Sequence, residues 1–229
     1  MYRYETHLHT SPVSRCARAT VEETLGFYRD LGYAGVFITN HFVDSNVGCD
    51  PTLPLGEKLD FFFSDYRRAR ELAPEYGLAV MMGVELSYRG TDFLAYGLDE
   101  AWYYGHMDII EMRKSELLPM MMDEGALVIH AHPYREASYI DHIRLFPRAV
   151  HGVEVINACR TEGENAMARL YANHYGHIHF AGSDNHVAGR IPRLAGLEFD
   201  TPITSEADFV TRVKAGEGKI FDNENPLKK

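Results

Sequence analysis

An α/β fold whose parallel strands can close into a barrel is what this sequence predicts, and three observations predict it. Short apolar runs alternate several times with stretches of helical periodicity, the pattern of strand, helix and returning strand. About seven such runs are present, enough to close a barrel. Five of the runs carry or meet histidine, glutamate or aspartate at their ends, and a parallel barrel gathers its strand ends on one rim. An open doubly wound sheet is the alternative, but it converges its loops mainly at one switch point.

The first strand runs into Glu5-Thr6-His7-Leu8-His9-Thr10. Residues 11–16 read as a loop, after which Thr20 with Glu23 makes a capping box for a helix that stops at Gly32. Residues 34–39 form the second strand. The stretch 42–57, rich in Asp, Asn, Pro and Gly, is a long rim loop, a kind of segment more often functional than idle. Phe62, Tyr66, Ala69 and Leu72 recur at helical spacing within 59–76, where Pro74 shortens or bends the last turn and Gly77 ends it. Strands follow at 78–84 and 92–98, joined by a turn at Arg89-Gly90. Residues 107–124 are helical in pattern, although Pro119 should bend or divide them; 126–129 is a strand and 133–147 is irregular or partly helical. A strand at 152–156, a helix at 162–175 and a strand at 177–181 continue the alternation. Residues 195–199 make a short strand, Ser205 with Asp208 opens a last helix to about Lys214, and the polar end 223–229 reads as a tail. No internal repeat or linker-like change of composition divides the chain, so a single domain over 1–229 is expected.

The 229 residues are 45% apolar and 24% charged, ordinary for a soluble globular protein. A formal charge of −10 argues against an electrostatic footprint for long nucleic acid or an anionic membrane, although bound cations would offset it locally. Cys16, Cys49 and Cys159 lie far apart with no Cys-x-x-Cys pair, which implies neither a disulfide framework nor a zinc ribbon and fits a reducing cytoplasm. No apolar stretch reaches the roughly 20 residues of a membrane helix, and the start lacks a basic-then-apolar leader, so neither insertion nor export is expected.

In a strand, residues i and i+2 share a face, so His7 and His9 can present two imidazoles to one point, as a metal site requires. His41 ends Val36-Phe37-Ile38-Thr39-Asn40-His41. Glu85 follows Met81-Met82-Gly83-Val84, where an unpaired buried charge would be expensive. His132 ends Leu127-Val128-Ile129-His130-Ala131-His132, and Asp184 and His186 follow His179-Phe180-Ala181-Gly182-Ser183. Together these read as one polynuclear metal site. The plain alternatives are a polar pair satisfied by backbone for His7 and His9, a surface carboxylate for Glu85, packing under the long loop for His41, and a polar turn at Gly182-Ser183-Asp184-Asn185. His130 reads as a core or supporting histidine and His179 as a satisfied buried one. His106, His142, His151, His174 and His177 read as surface or helix-end residues.

Taken together and in order, these stretches resemble the polymerase and histidinol phosphatase (PHP) superfamily of metal-dependent phosphoesterases. The likeness covers nearly the whole chain: His7-x-His9, Asn40-His41, Gly83-Val84-Glu85, Ala131-His132-Pro133, Gly152-Val153-Glu154-Val155 and Gly182-Ser183-Asp184-Asn185-His186. The resemblance implies a distorted (β/α)7 TIM-like barrel with two or three divalent metal ions, manganese, zinc or iron, on its rim. Carried over by position, His7, His9, Glu85 and Asp184 would bind a first metal, Glu85 would bridge to a second that His132 also binds, and His41 and His186 would bind a third. Three places depart from the family pattern. Asn40 stands where Asp is usual. Ser14, Arg15 and Cys16 occupy the loop where many members place a third-site Asp or His, so that site turns on whether Cys16 supplies a thiolate or is a small buried hydrophobe. Asp92 stands where a histidine ligand of the second metal is common, and would serve as a harder oxygen ligand.

Phosphate favours bidentate cationic partners. Arg160, after Val155-Ile156-Asn157-Ala158-Cys159, and Arg190, beyond His186, belong to rim loops in which family phosphatases use arginines; Arg15 and Arg135 are weaker candidates. The implied reaction is hydrolysis of a small phosphate monoester, histidinol phosphate being one of many, by metal-activated water. Three other classes stay open. A phosphodiesterase or exonuclease on short nucleic acids is disfavoured by the acidic charge and the missing basic stripe. An amidohydrolase is disfavoured because no Lys occurs between Lys114 and Lys214, and a non-catalytic metal-stabilised module because most ligands are retained.

Overall fold

The computed structural model describes residues 1–228. Its strands are β1 (Tyr2–Glu5), β2 (Gly35–Ile38), β3 (Ala79–Tyr88), β4 (Thr91–Tyr96), β5 (Leu127–Ala131), β6 (Gly152–Asn157), β7 (Ile178–Gly182), β8 (Arg193–Phe199) and β9 (Lys219–Glu224). Its helices are α1 (Val21–Asp30), α2 (Leu55–Tyr76), α3 (Glu100–Gly105), α4 (Lys114–Asp123), α5 (Glu162–Tyr175) and α6 (Glu206–Lys214). The strands join one sheet in the order β7-β6-β5-β4-β3-β2-β1-β8-β9. The pairs β1–β2, β2–β3, β5–β6 and β6–β7 run parallel. The pairs β3–β4, β4–β5, β1–β8 and β8–β9 run antiparallel. No helix of the described residues is long and apolar enough to cross a membrane.

Local chemistry sets several boundaries. Thr20 and Glu23 form a full capping box at α1, and Thr161 and Glu164 form another at α5. Gly77 and Gly176, both left-handed, terminate α2 and α5. Strands β2, β5 and β6 are buried along their whole length, which is why they read as continuous apolar runs. Within them the side chains still divide by face. Val36 and Ile38 of β2 and Val80 of β3 pack with Leu25 and Tyr28 of α1 and Ala69 of α2. Phe37, Met81, Leu94, Tyr96, Leu127, Ile129 and Phe180 instead join Tyr4 in a cluster drawn from β1 to β5 and β7, the packed interior of a barrel. Helix α6 plugs one end, with the Phe209 ring centroid 4.2 Å from that of Phe37. Lys214 Nζ donates to the Gly125 carbonyl (3.1 Å) just before β5, so the plug lies where the parallel strands begin. The opposite end is left for chemistry.

The sheet is a nearly closed barrel, as a distorted TIM-like fold requires, and its seam lies between β7 and β1. Ser183 Oγ bridges to Ala195 of β8, accepting its N–H and donating to its carbonyl, both at 3.0 Å. Beyond the strand ends, the His9 N–H donates to the Asn185 carbonyl (2.9 Å) and the Asn185 N–H to the His7 carbonyl (3.2 Å). Thr6 Oγ1 donates to the Ala181 carbonyl. Close approach at this seam needs Gly182: a Cβ there would lie 2.4 Å from His7 Cβ and 2.8 Å from Glu154 Oε1.

Several elements differ from the sequence reading. The sheet is mixed rather than mostly parallel, because β4 and β8 run opposite to the strands beside them. The expected tail at 223–229 is partly β9, which pairs Asn223 with Leu194 and Glu224 with Arg193. Asn225 beyond it is buried, its Nδ2 donating to the Ile191 carbonyl at 2.8 Å, and Lys229 lies outside the described residues. The stretch 107–124 divides before Pro119, between Ile110 and Lys114, leaving Pro119 inside α4 and a separate helix, α3, upstream. Residues 133–147 take the irregular one of the two forms expected, with no helix or strand. His179 is exposed, with Nε2 2.9 Å from Asn173 Oδ1, rather than buried. His151 is structural: its Nδ1 accepts the Val128 N–H (3.2 Å), while its own N–H donates to the Val128 carbonyl (2.9 Å).

Two expectations follow from these contacts. Burial, with Lys214 adding to it, pushes the His151 imidazole down from 6.5 to about 4. Between those values the unfolded chain takes a proton that the folded chain refuses, so stability is lost as the pH falls through that window. His151→Asn, whose Oδ1 can accept the same N–H, removes this part of the acid sensitivity; urea unfolding at steps between pH 6.5 and 4 reads it, and the same pH dependence in both proteins would refute it. At the seam, Gly182→Ala forces His7 and Glu154 apart. It should lower stability by about 1–3 kcal/mol, seen as a lower urea midpoint at unchanged slope.

Candidate metal centre

Past β1 the chain projects His7 and His9 together, with Nε2 atoms 3.3 Å apart. Both rings are held from behind. Buried Glu154 of β6 accepts the His7 Nδ1–H on Oε1 at 2.9 Å, while its Oε2 accepts the His132 N–H at 3.0 Å and Asn157 Nδ2 at 2.9 Å. That turns the His7 Nε2 inward, where burial is outweighed by Glu154, Asp184 and Glu85, which raise the imidazole well above its usual value; the proton it holds there is one that a bound cation would displace. Ser14 Oγ donates to Asn40 Oδ1 (2.8 Å), so it accepts from the His9 Nδ1–H (3.0 Å) and the His41 N–H (3.1 Å). His9 thereby also turns a bare Nε2 inward. Asn40 accepts the Thr10 N–H and donates Nδ2 to Thr10 Oγ1, both at 2.8 Å, and the Thr10 hydroxyl donates to Asp65 Oδ2 at 2.8 Å. An aspartate at 40 would have no proton to give Thr10, which accounts for the amide.

Glu85, reached where β2 hands over to His41 alongside β3, stands among four imidazoles. Its Oε1 lies 3.2 Å from His7 Nε2 and 3.3 Å from His132 Nε2; its Oε2 lies 3.4 Å from His9 Nε2 and 2.7 Å from His41 Nδ1. Asp184, after β7, brings Oδ1 to 3.5 Å from His7 Nε2, 3.4 Å from His9 Nε2 and 3.5 Å from His186 Nδ1, and Oδ2 to 3.8 Å from His132 Nε2. Three groups result, each with donor atoms within 4.8 Å of one another: His7, Glu85 and His132; His7, His9 and Asp184; His9, His41 and His186. His132 (φ 25°) and Asp184 (φ 55°) sit in the left-handed region, which non-glycine residues seldom occupy and which recurs at functional sites.

The electrostatics are those of a cation site. Burial raises the carboxyls of Glu85 and Asp184, but His41 and His7 for the first, and His7 for the second, overcome it and hold both well below the carboxylate range. Burial, then His186 and His41, push His9 down to about 3, so it is a neutral lone-pair donor. Burial raises the Cys16 thiol too, but His186 and His41 beside it bring it down to about 6. His41 Nδ1 and Glu85 Oε2 are both buried and 2.7 Å apart, yet neither makes a hydrogen bond of sound geometry; His132 Nδ1 is likewise buried without a partner. Lone pairs so placed are costly unless positive charge shares the space. Imidazoles and carboxylates in this arrangement fit divalent metal ions.

The cluster opens into a cleft of about 530 Å³. Of the arginines singled out in the sequence, Arg160 lines it, and so does Arg135, the weaker candidate. Arg190 lies on a short 3-10 turn, exposed and off the cleft wall, and Arg15 is exposed as well. Asp92 also lines the cleft but stands outside the three donor groups: its Oδ2 pairs with Arg135 Nη2 at 3.2 Å and is 4.0 Å from His132 Nδ1. The supporting residues Glu154, Ser14 and Glu5 were not singled out as site residues by the sequence. Their signal was a charge inside an apolar run, as in Gly152-Val153-Glu154-Val155. Glu5 accepts the His7 and Ser183 N–H groups (3.0 and 2.9 Å), and burial pushes its carboxyl up to about 7.

A family model described as PHP-associated matches residues 162–217, from the start of α5 to just beyond α6. No curated protein matches the chain. Among solved structures, the chain is similar to a two-domain protein from Bacteroides vulgatus containing a predicted PHP-like metal-dependent phosphoesterase, with TM-score 0.66 and 12% identity. That likeness covers 96% of this chain but 64% of the Bacteroides protein, so the chain spans less than two thirds of it. A proposed metal-dependent phosphoesterase from Bifidobacterium adolescentis gives TM-score 0.54 and 13% identity over 82% of this chain and 89% of that one. An amidohydrolase from Chromobacterium violaceum, with bound sulfate and no metal, gives 0.58 and 14% over 94% and 97%. At such identities the structures speak for the fold. That shared barrel and the PHP-associated match over residues 162–217 agree with the resemblance carried by the ordered His-x-His to Asp-Asn-His series.

Proposed function

We propose that the protein hydrolyses a small phosphate monoester at this centre. The observation that carries the reading is a pair of arginines on the wall of the cleft that the imidazole–carboxylate cluster opens into. Arg135 and Arg160 each keep a buried Nε without a hydrogen-bond partner. An unsatisfied buried donor costs about 1–3 kcal/mol, which an entering anion recovers, and a guanidinium fork suits a phosphoryl group.

His7, His9, Glu85 and Asp184 would hold one divalent ion, Glu85 and His132 a second, and His41 and His186 a third. Bound there, the ions would act as Lewis acids that acidify a water and neutralise charge on phosphoryl oxygens. The mixture of oxygen and imidazole donors suits manganese and iron as well as zinc. Glu154 and Ser14 hold the outer nitrogens of His7 and His9, so that both Nε2 atoms face the centre. Arg135, braced by Asp92, and Arg160 orient the ester and offset charge that develops on its oxygens. A cleft of about 530 Å³ suits a small ester, and the acidic chain disfavours a long nucleic acid. Its three unpaired cysteines suit a reducing cytoplasm.

The test is phosphate release from phosphomonoesters, phosphodiesters and short oligonucleotides by protein loaded with manganese, iron or zinc. Monoester turnover is expected, and Asp184→Ala should lower kcat/KM by more than about a hundredfold, beyond what loss of a supporting partner costs. Cleavage of an amide or lactone, with no phosphate ester turned over at full metal occupancy, would sink the reading and favour chemistry at carbon. Arg135→Gln and Arg160→Gln should each lower kcat/KM by about 10- to 100-fold, the size of one charged hydrogen bond, with metal content unchanged. Unaltered kinetics in both variants would mean that phosphate binds elsewhere.

A further inference from the structure

We infer that Cys16 is a metal ligand, its thiolate joining His41 and His186 to give one position of this centre a sulfur and nitrogen donor set suited to zinc and other soft divalent ions. The inference rests on the metal-centre reading above.

Three features point to it. The loop that carries Cys16 is pinned on both sides: the Arg15 N–H donates to the Asn46 carbonyl (3.0 Å), the Ala17 N–H to the Ser14 carbonyl (3.0 Å) and the Arg18 N–H to the His186 carbonyl (2.7 Å). Between those anchors Cys16 lines the cleft with His41 and His186, while Arg15 and Arg18 are exposed. Its surroundings are also unlike those of an inert thiol. Cys49 is such a thiol, 6% exposed within an apolar cluster, whereas Cys16 belongs to none of the apolar clusters of the described residues.

An independent observation points into the same space. Glu85 is 1% exposed, yet its Oε2 has no hydrogen-bond partner and is directed at His41 Nδ1 and His9 Nε2, 2.7 and 3.4 Å away. The donor atoms of His9, His41 and His186 lie within 4.8 Å of one another. His9 is shared with the group containing His7 and Asp184, so this position lacks a ligand of its own beyond two imidazoles. A sulfur beside those imidazoles moves the set toward the nitrogen and sulfur chemistry of zinc sites, whereas the other two groups each pair two imidazoles with a carboxylate, Glu85 or Asp184. On binding, the S–H bond breaks, the sulfur lone pair goes to the ion, and the proton leaves to solvent.

The full chain loaded with cobalt(II) tests this without reference to turnover. A thiolate-to-cobalt charge-transfer band in the near ultraviolet is expected in the wild type, lost in Cys16→Ser and kept in Cys159→Ser, whose sulfur lies 3.4 Å from the Asp184 carbonyl oxygen. X-ray absorption of the zinc-loaded wild type should show sulfur at about 2.3 Å, a result that does not depend on any variant folding. Visible d–d bands with no charge-transfer band and no zinc–sulfur scattering would overturn the inference and leave the phosphoesterase reading standing. A band lost in Cys159→Ser rather than Cys16→Ser would overturn it as well. Failure to take up cobalt or zinc at all would overturn both readings.

Discussion

Bare lone pairs of imidazole and carboxylate, crowded within hydrogen-bonding distance in a buried space, are tolerable only when each ring is pinned from behind and positive charge occupies the middle. The rest of this structure answers to that constraint. Glu154 carries the most of it, because one carboxylate fixes the ring orientation of His7 and, through the His132 N–H, the position of a second imidazole on another strand. A carboxylate in the middle of fully buried β6 would be costly alone; with three donors on it, burial makes each bond stronger and the geometry stiffer. Gly182 belongs to the same arrangement, since a side chain there would separate the two groups that Glu154 and His7 bring together.

The fold and the centre were legible in the sequence to different depths. Strand ends were plain because β2, β5 and β6 are buried on both faces and so stand out as unbroken apolar runs that stop at polar residues. Helix starts were plain where side chain and backbone close a local ring, as at Thr20 with Glu23 and Thr161 with Glu164. What could not be read was anything decided by partners distant in sequence. The strand β9, Lys-Ile-Phe-Asp-Asn-Glu, is polar by composition, and only its antiparallel ladder with β8 makes it a strand. Glu154 looked like one more charged residue, because its partners lie 147 and 22 positions away. His151 and His179 exchanged expectations for the same reason: one meets the Val128 N–H across the sheet, the other faces solvent beside Asn173.

Loop residues were the hardest of all. In sequence Arg190 is the stronger candidate and Arg135 the weaker, although each lies a few residues past a histidine at a strand end. Yet the 3-10 turn carries Arg190 outward, and the irregular stretch after β5 folds Arg135 back over the cleft. Sequence distance from a strand end therefore located the rim but not the side of it that a residue faces.

The positions that depart from the family pattern share a logic. Asn40 is neutral where a carboxylate is usual, and its amide proton lets the chain from Asp65 through Thr10 to Ser14 hold His9 and the His41 backbone without adding charge. Asp92 keeps its charge but directs it at Arg135, so a place that elsewhere supplies a metal donor here supports a guanidinium on the cleft wall. Asn40 takes a negative charge away from the buried cluster, and Asp92 holds a cation on the cleft wall, which on the proposed reading lowers the repulsion an anionic ester meets as it approaches two buried carboxylates, Glu85 and Asp184. A thiolate from Cys16 would restore a charge at the one corner where imidazoles alone face the cleft, so the centre would gain a sulfur donor beside its nitrogen and oxygen ones.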